Sequence, residues 1–224
     1  MSVAGVFVTG TDTGIGKTHC SAVLLHALRA RGQRAVGMKP VASGCERSDG
    51  AWRNEDALAL IAASDPRPTY ADCNPFALRL PLAPELAARD AGVEVRLQPI
   101  LDAYARLASS AEVVVVEGVG GWAAPLSAQL MQSDLVHALD LPVVLVVGLR
   151  LGCLNHALLS ARAIAADGCR LAGWIANAID PAMDAVEDNI AMLAARLPAP
   201  CWGRLPHHPA ADAAAFSRLL EIPV

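Results

Sequence analysis

Residues 10–18 read GTDTGIGKT and constrain the fold more than any other part of the chain. An apolar, β-rich run at residues 3–9 precedes this stretch, and residues 17–31 follow it with apolar side chains at helical spacing. A glycine-rich loop between a strand and a helix is typical of a phosphate-binding loop, in which backbone N–H groups and the helix N-terminus face the anion. The pattern predicts that Lys17 reaches the β- and γ-phosphates of a nucleotide and that the Thr18 hydroxyl ligates Mg²⁺.

Strand-like and helical patterns alternate along the rest of the chain. Four consecutive valines at positions 113–116 and the apolar run at 142–147 indicate strands covered on both faces. Further strands are predicted at residues 34–39, 171–176 and 201–205. Further helices are predicted at residues 54–63, 155–167 and 182–197, and Pro99 opens another. Asp180 and Pro181 are expected to be the N-cap and the first residue of the last helix. The prediction is an α/β fold: a mainly parallel β-sheet flanked by helices on both faces, in a single domain spanning residues 1–224. Residues 64–98, with five prolines, are expected to wrap the surface near the site.

The composition argues against several classes of protein. Hydrophobic residues make up 54% of the 224 positions and charged residues 18%, a balance that argues against disorder. No apolar run approaches the roughly 20 residues of a membrane-spanning helix, and the N-terminus lacks signal-peptide features, so a cytoplasmic protein is expected. The net charge is −4 without a Lys/Arg cluster, so neither a nucleic acid nor a membrane is expected as a partner. The six cysteines have neither CxxC nor zinc spacing and are expected to be buried small hydrophobic residues.

Polar residues follow the predicted strands at the edge where a parallel sheet binds its ligands. Glu117 ends the valine run and is a natural Mg²⁺ ligand opposite a phosphate loop; the alternative is a solvated acid at a strand end. Lys39 ends the second predicted strand, which should lie near the first, and can point into the same pocket, with Ser43 four residues further on. Asp56 is a further candidate Mg²⁺ ligand, and its alternative is a solvated acid in the first turn of a helix. Asn177 is either a reader of a base edge or a plain turn residue.

Lysine is almost absent from the chain. Of the 18 basic residues, two (Lys17 and Lys39) are lysines and the other 16 are arginines. A bias toward arginine explains why lysine is scarce, but it does not explain why both lysines fall beside the predicted pocket. We therefore predict that the site needs compact cations where a planar guanidinium would not serve.

The chain resembles the dethiobiotin synthetase family. The resemblance rests on six segments in the same order, GTDTGIGKT (10–18), MKPVASG (38–44), RNEDALAL (53–60), VVVVEGVGGWAAPL (113–126), LPVVLVVGLRLGCLNHALL (141–159) and LAGWIAN (171–177). It runs from about residue 6 to about residue 208 and includes the five-residue spacing between Gly10 and Gly16, one more than in the common phosphate loop. It implies a P-loop NTPase-like fold and a homodimeric ligase of biotin biosynthesis. That enzyme joins 7,8-diaminopelargonate (7,8-diaminononanoate), CO2 and MgATP to give dethiobiotin, ADP and phosphate.

The resemblance also implies roles for individual residues. The family reaction begins when one amine of the diamine forms a carbamate with CO2, and the carbamate attacks the γ-phosphate. Lys17 and Lys39 would act catalytically by holding the phosphates and this carbamate, and Thr18, Asp56 and Glu117 would hold Mg²⁺ directly or through water. The residues implied in ATP binding are Thr13, Gly14, Ile15, Gly16, Lys17, Thr18, Asp56, Glu117, Gly118, Val119, Gly120, Asn177, Ala178, Pro206, His207 and His208. The residues implied in binding the diamine are Thr13, Ser43 and Gly121 and, from the other subunit of the dimer, Leu151, Gly152, Cys153, Leu154 and Asn155.

The chain departs from the family pattern at three positions. Gly14 stands where the family often has an acid, Glu85 where a histidine is common and Ala178 where an aspartate is frequent. Two other classes share part of the pattern. An ATPase switch of the partition or cell-division type would carry a further lysine early in the phosphate loop, where this chain has Thr-Asp-Thr. An amidotransferase of the cobyrinate type would need a glutaminase domain, for which 224 residues leave no room.

Overall fold

Strands and helices alternate as the sequence predicts. The computed structural model describes residues 4–48, 50–207 and 212–223. The strands are β1 (Ala4–Gly10), β2 (Ala35–Met38), β3 (Val41–Ala42), β4 (Glu46–Ser48), β5 (Ala51–Arg53), β6 (Phe76–Ala77), β7 (Val113–Glu117), β8 (Pro125–Ser127), β9 (Leu130–Met131), β10 (Val143–Leu149), β11 (Leu171–Ala178) and β12 (Cys201–Leu205). The helices are α1 (Lys17–Ala30), α2 (Glu55–Ala63), α3 (Tyr70–Cys73), α4 (Pro84–Asp90), α5 (Leu97–Ser110), α6 (Gln132–Leu139), α7 (Cys153–Ala166), α8 (Val186–Ala194) and α9 (Ala213–Phe216), followed by a 3₁₀ turn at Ser217–Leu219.

A six-stranded sheet forms the centre of the molecule, in the order β12–β11–β10–β1–β7–β2. All five strand pairings in it are parallel. The three remaining two-stranded pairs are small and lie outside it. The predicted parallel sheet is therefore confirmed.

Each central strand sends alternate side chains into two separate apolar cores, as the period of two requires. In β7, Val114 and Val116 pack with α5 and α6, whereas Val113 and Val115 pack with α1 and α2. The side chains of β10 also alternate between two cores, one covered by α1 and the other by α7 and α8. Helices thus lie on both faces of the sheet, which explains why the central strands read as unbroken valine and leucine runs rather than as alternating ones.

The strand order shows how β2, expected near β1, is placed relative to it. β2 lies beside β7 rather than beside β1, so β7 separates the strand that ends before Lys39 from the strand that ends in the phosphate loop. Because all three strands run parallel, their carboxyl ends still meet at one edge, and Glu117 stands between the two lysine-bearing segments. The interposed strand therefore places a carboxylate between the two cations.

The predicted last helix is wrong at its start. Asp180 accepts a hydrogen bond from the Ala182 N–H at 2.9 Å, but the resulting Asx turn is not continued into a helix. Ala185 has a positive φ of 51°, which interrupts helical geometry, and α8 begins only at Val186. Asp180 and Pro181, which predict the start of a helix, therefore lie in a turn.

Two other expectations are adjusted. The helix assigned to Pro99 begins two residues earlier, at Leu97. Four of the six cysteines are buried, as expected, whereas Cys169 and Cys201 are half-buried, and all six are free thiols. Within the described residues, no helix has both the length and the hydrophobicity needed to span a bilayer.

Candidate active site at the carboxyl edge of the sheet

The phosphate loop is held in place by its own backbone and by two neighbouring strands. Gly16 adopts φ 83° as the N-cap of α1, and a Cβ there would lie 2.2 Å from the Asn177 Nδ2, so only glycine fits. The Thr11 N–H donates to the Val146 carbonyl of β10 at 3.0 Å. These contacts aim the loop and the N-terminus of α1 at a common point, which is the geometry that favours an anion.

Lys17 lies against this loop. Its Nζ donates to the Asp12 carbonyl at 2.8 Å, and the residue is 7% exposed. Burial, and after it the nearby charge of Lys39, lowers the pKa of Lys17 to about 8, although the neighbouring carboxylates act in the opposite direction. An anion at the loop would favour the charged form of Lys17 and provide a stronger partner than a carbonyl.

Glu117 is the fully buried centre of the site, with 0% exposure. Its Oε1 accepts from the Thr18 hydroxyl at 2.9 Å and from the Lys39 Nζ at 2.5 Å. Lys39 also donates to Asp56 Oδ2 at 2.8 Å and to the Gly118 carbonyl at 3.2 Å. The three residues predicted as Mg²⁺ ligands and the second lysine therefore converge in one network.

The network sets the charges of its members. Burial alone would lower the pKa of Lys39, but attraction by Glu117 and Asp56, together with their hydrogen bonds, raises it above its ordinary value. Burial would raise the pKa of Asp56, but the Lys39 charge and hydrogen bonds from Lys39 and Thr18 lower it. Lys39 is therefore a permanent ammonium and Asp56 a carboxylate at neutral pH.

A cavity of about 390 Å³ opens above this network. Two larger cavities, of about 610 and 620 Å³, lie elsewhere, so size alone does not single out the site. Eleven residues predicted from the sequence line the smaller one, together with Ala42 and Asn54: Thr13, Gly14, Gly16, Lys17, Thr18, Lys39, Ser43, Asp56, Glu117, Val119 and Gly120. The convergence of two ammonium groups, two carboxylates and a helix N-terminus distinguishes this cavity chemically.

The remaining sequence-predicted residues lie around this cavity or apart from it. Ile15 is buried in the core below the loop, and the Gly121 carbonyl accepts from Gln132. Asn177 is buried and donates through Nδ2 to the Ile15 carbonyl at 2.8 Å, with Ala178 ending the same strand. Pro206 and His207 are exposed after β12, and His208 lies outside the described residues. Their roles in ATP binding remain predictions.

The predicted substrate segment at residues 151–155 stands on the surface. Gly152 is the N-cap of α7, with φ 93°, and the Leu151 side chain is 95% exposed. Cys153 is buried, whereas Leu154 is half-buried and Asn155 is exposed. None of the five lines the 390 Å³ cavity. The segment therefore lies outside the cavity of its own chain.

Several supporting residues were missed by sequence reasoning. Gln132 is 1% exposed, accepts from the Val119 N–H at 2.8 Å and donates to the Gly121 carbonyl at 2.9 Å, so it shapes the loop after Glu117. Arg150 pairs with Asp12 of the phosphate loop at 2.6 Å. These contacts join residues far apart in the chain, and no local pattern marks them.

The departure at Gly14 is compatible with the loop as it stands. A Cβ at this position would meet no atom within 4 Å, so the space that an acidic side chain would occupy is open. The φ of 73° is nevertheless one that favours glycine. Space does not exclude an acid here, whereas backbone conformation disfavours one.

The fold and site together define a nucleotide-binding protein of the P-loop class. In agreement, the model of the AAA domain matches residues 4–215. The ATP-dependent dethiobiotin synthetase BioD of Xanthomonas euvesicatoria pv. vesicatoria (strain 85-10) is 69% identical over 217 residues, which cover 97% of each chain. The enzyme of the same name from Xylella fastidiosa (strain 9a5c) is 65% identical over 209 residues, covering 93% of this chain and 92% of that one. The chain belongs to the ATP-dependent dethiobiotin synthetase family.

Solved structures share the fold at low sequence identity. The MinC:MinD cell division protein complex of Aquifex aeolicus aligns with a TM-score of 0.55 and 14% identity, covering 92% of this chain and 82% of that one. The signal recognition particle 54 kDa protein of Aeropyrum pernix aligns with a TM-score of 0.52 and 13% identity, covering 96% of this chain and 43% of that one. These neighbours support the α/β fold only.

Proposed function

We propose that this chain makes dethiobiotin from 7,8-diaminopelargonate, CO2 and ATP, releasing ADP and phosphate. The Lys17–Lys39–Glu117–Asp56 constellation is the observation that carries the proposal, together with membership of the family. These four residues lie at the carboxyl edge of the parallel sheet, where α/β folds of this kind bind their ligands. We place the reaction in the cytoplasm and in one domain formed by the whole chain.

The donors at the centre of the site suit Mg²⁺. Thr18, Asp56 and Glu117 offer oxygen atoms only, which this ion prefers. Glu117 Oε2 is buried without a hydrogen-bond partner, and a cation would satisfy it. Within the described residues no group of three His, Cys, Asp or Glu forms a metal site, so the proposal depends on the Thr18 hydroxyl as third donor. Bound there, Mg²⁺ would neutralise charge on the ATP phosphates.

The reaction brings two anions together, and the chain must offset their repulsion. By the family resemblance, one amine of the diamine forms a carbamate with CO2, and a carbamate oxygen attacks the γ-phosphorus as ADP leaves. The second amine then attacks the carbonyl carbon of the mixed anhydride, and phosphate leaves as the ring closes. Two unit charges at 4 Å repel by about 4 kcal/mol at an effective dielectric constant near 20. Lys17 and Lys39, which line the same cavity, would compensate that repulsion.

Substrate binding from a second subunit is part of the proposal. Leu151 is 95% exposed and Leu159 is 54% exposed, on the turn and helix that carry residues 151–155, which are predicted to bind the diamine. A protein partner that covered these two leucines would remove apolar surface from water. We therefore infer a homodimer in which residues 151–155 of one chain complete the cavity of the other. Sedimentation analysis should show a dimer, and Leu151→Asp should give monomers that no longer use the diamine. A Leu151→Asp monomer with undiminished turnover would contradict this part.

The decisive test is a coupled assay of ADP release with diamine, bicarbonate and MgATP, with mass spectrometry of the product. ADP release should require the diamine and match dethiobiotin formation one to one. A monoamine analogue that lacks the second amine serves as the control, since it cannot close the ring. ATP hydrolysis at the same rate with and without diamine would exclude the ligase and favour a nucleotide switch.

The switch remains the main alternative because the MinC:MinD complex shares the fold. The phosphate loop offers no support for it. Such switches carry a lysine early in the phosphate loop, where this chain has Thr11, Asp12 and Thr13. Thr13 lines the cavity. Lys39, paired with Glu117, instead supplies a second ammonium group to the cavity. The ligase needs a cation there to receive a carbamate.

A further inference from the structure

The Tyr70 hydroxyl makes two hydrogen bonds that link separate parts of the site. Tyr70 begins α3, in the proline-rich stretch that joins α2 to β6. Its oxygen accepts from the Asn54 N–H at 2.8 Å and donates to Asn74 Oδ1 at 2.9 Å. Tyr70 does not line the 390 Å³ cavity. Its hydroxyl therefore acts on the site through Asn54 and Asn74.

One arm of this link ends at the start of α2. Asn54 is 8% exposed and caps the helix, since its Oδ1 accepts from the Ala57 N–H at 3.2 Å. Its Nδ2 donates to the Ser43 carbonyl at 3.5 Å. Asp56 lies two residues further on, in the first helical turn. The position of the Asn54 backbone thus sets the positions of the Asp56 carboxylate and of the segment that carries Ser43.

The other arm ends at the carbonyl of Lys39. Asn74 is 3% exposed, and its Nδ2 donates to the Lys39 carbonyl at 2.6 Å. The Tyr70 hydroxyl fixes which way the Asn74 amide faces, because a donor at Oδ1 leaves the NH₂ group for Lys39. Burial raises the pKa of Tyr70, so its hydroxyl stays protonated and able to donate across the physiological range.

The two arms meet again in the site. Lys39 Nζ contacts Asp56 Oδ2 at 2.8 Å, which closes a ring of contacts through Asn74, Tyr70 and Asn54. We propose that Tyr70 is a positioning residue that holds the Lys39 strand end and the start of α2 at a fixed separation, so that Lys39 meets the carbamate and Asp56 meets Mg²⁺. This inference rests on the proposed function. It adds a residue that touches neither substrate nor metal and acts through two asparagines.

The chain provides a matched control for the test. It has two tyrosines, and the second, Tyr104, lies on α5 with its hydroxyl 3.0 Å from a Cβ built at Gly5, at the amino end of the sheet. Tyr70→Phe removes one oxygen and keeps the ring that stacks under the Arg53 guanidinium at 4.1 Å. Tyr104→Phe removes the same atom far from the site.

The experiment compares wild type, Tyr70→Phe, Tyr104→Phe and Asn74→Ala in the diamine-dependent assay, with titration of Mg²⁺ and calorimetric titration of MgADP. Tyr70→Phe should lower kcat roughly tenfold, because small misplacements of catalytic groups are costly, and should raise the half-saturating Mg²⁺ concentration several-fold. Asn74→Ala should reproduce the loss of kcat. A variant that combines Tyr70→Phe with Asn74→Ala should have a kcat little lower than that of either single variant. Tyr104→Phe should stay within about twofold of wild type.

A purely structural role for Tyr70 gives a different pattern. The melting temperature of Tyr70→Phe would then fall while kcat and Mg²⁺ dependence of the folded enzyme matched those of Tyr104→Phe, and the proposal would be wrong. If Tyr70→Phe does not fold, Asn74→Ala with wild-type kcat would overturn it equally. If the wild type shows no diamine-dependent turnover, the proposed function fails, and MgADP affinity decides the Tyr70 inference separately. Weaker MgADP binding in Tyr70→Phe than in Tyr104→Phe supports it, and equal binding rejects it.

Discussion

Lys17 and Lys39 border one cavity but stand in regions of opposite electrostatic character. Lys17 has a loop carbonyl as its hydrogen-bond partner and a pKa lowered to about 8, first by burial and then by the charge of Lys39. Lys39 is held between Glu117 and Asp56, and their attraction outweighs burial and raises its pKa. An arriving anion would therefore raise the charged fraction of Lys17 near pH 8, whereas the charge of Lys39 is fixed by the protein. One cation responds to the phosphates, and the other is built into the site.

The largest expected effect comes from replacing the built-in cation. Lys39→Arg should lower kcat about 100-fold or more, because a planar guanidinium cannot occupy a place 2.5 Å from one carboxylate and 2.8 Å from another. Overpacking at a residue that is 3% exposed should also reduce the free energy of unfolding by about 1–3 kcal/mol. Steady-state kinetics and urea unfolding measure the two effects.

Arg47→Lys is the matched control for that exchange, since Arg47 is exposed on β4 and should tolerate the reverse substitution. Turnover of Lys39→Arg within a few-fold of wild type would show that the site does not need a compact ammonium. The contrast between the two lysines would then lose its chemical meaning.

The next largest effect on kcat is expected from replacing the two carboxylates that contact Lys39, and it should differ between them. Glu117 is fully buried and binds both Thr18 and Lys39, whereas the Asp56 side chain is 41% exposed. Glu117→Gln should therefore lower kcat by roughly 30- to 100-fold and destabilise the fold by about 3 kcal/mol, as for a broken buried ion pair. Asp56→Asn should lower kcat by about tenfold with little change in stability. Thermal melts and Mg²⁺ titrations distinguish them, and equal losses in both variants would contradict the difference in burial.

Chemical labelling tests the contrast between Lys17 and Lys39 directly, because only the neutral form of a lysine amine reacts with the labelling reagent. At pH 8, Lys17 with a pKa of about 8 should be about half neutral, whereas an ordinary lysine is under about 1% neutral. The raised pKa of Lys39 makes it less reactive still. Trinitrobenzene sulfonate should modify Lys17 at least about tenfold faster than Lys39, as followed by peptide mass spectrometry, and MgATP should protect it. Lowering the pH to 6 should slow the labelling. Comparable rates at both lysines would refute the assigned environments.

Contiguous patterns allowed most of the fold to be predicted. The valine run, the helical spacing after Lys17 and the glycine-rich loop are local signals, and β7, α1 and the loop appear where they indicate. The order of the strands is not local. Nothing in residues 34–39 reveals that β2 packs against β7, and so the position of Glu117 between the lysines became visible only in the folded chain.

The supporting contacts of the site could not be predicted for a related reason. Tyr70 and Asn74 lie in the proline-rich stretch, which has no hydrophobic period to read, and their hydrogen bonds reach Asn54 and Lys39 across the fold. Asp180 shows the opposite error, since a strong local helix signal was satisfied by a turn. Residues that touch ligand often belong to motifs, whereas the residues that hold them are defined by tertiary structure.

The smallest effect concerns the link between the phosphate loop and the segment that carries the predicted partner-binding residues. Arg150 pairs with Asp12 at 2.6 Å, and Asp12 in turn accepts from Lys17 through its carbonyl. Both side chains of the pair are more than a third exposed, so Arg150→Gln should change stability by less than about 1 kcal/mol. It should raise the KM for ATP roughly two- to threefold at low salt, because Lys17 loses a fixed support, and the difference should shrink at high salt. Arg96→Gln, which breaks the exposed pair with Glu94, controls for loss of a surface charge. If Arg150→Gln matched Arg96→Gln in low salt, the loop would hold Lys17 without help from Arg150, and the contrast between the two lysines would depend on burial and the carboxylates alone.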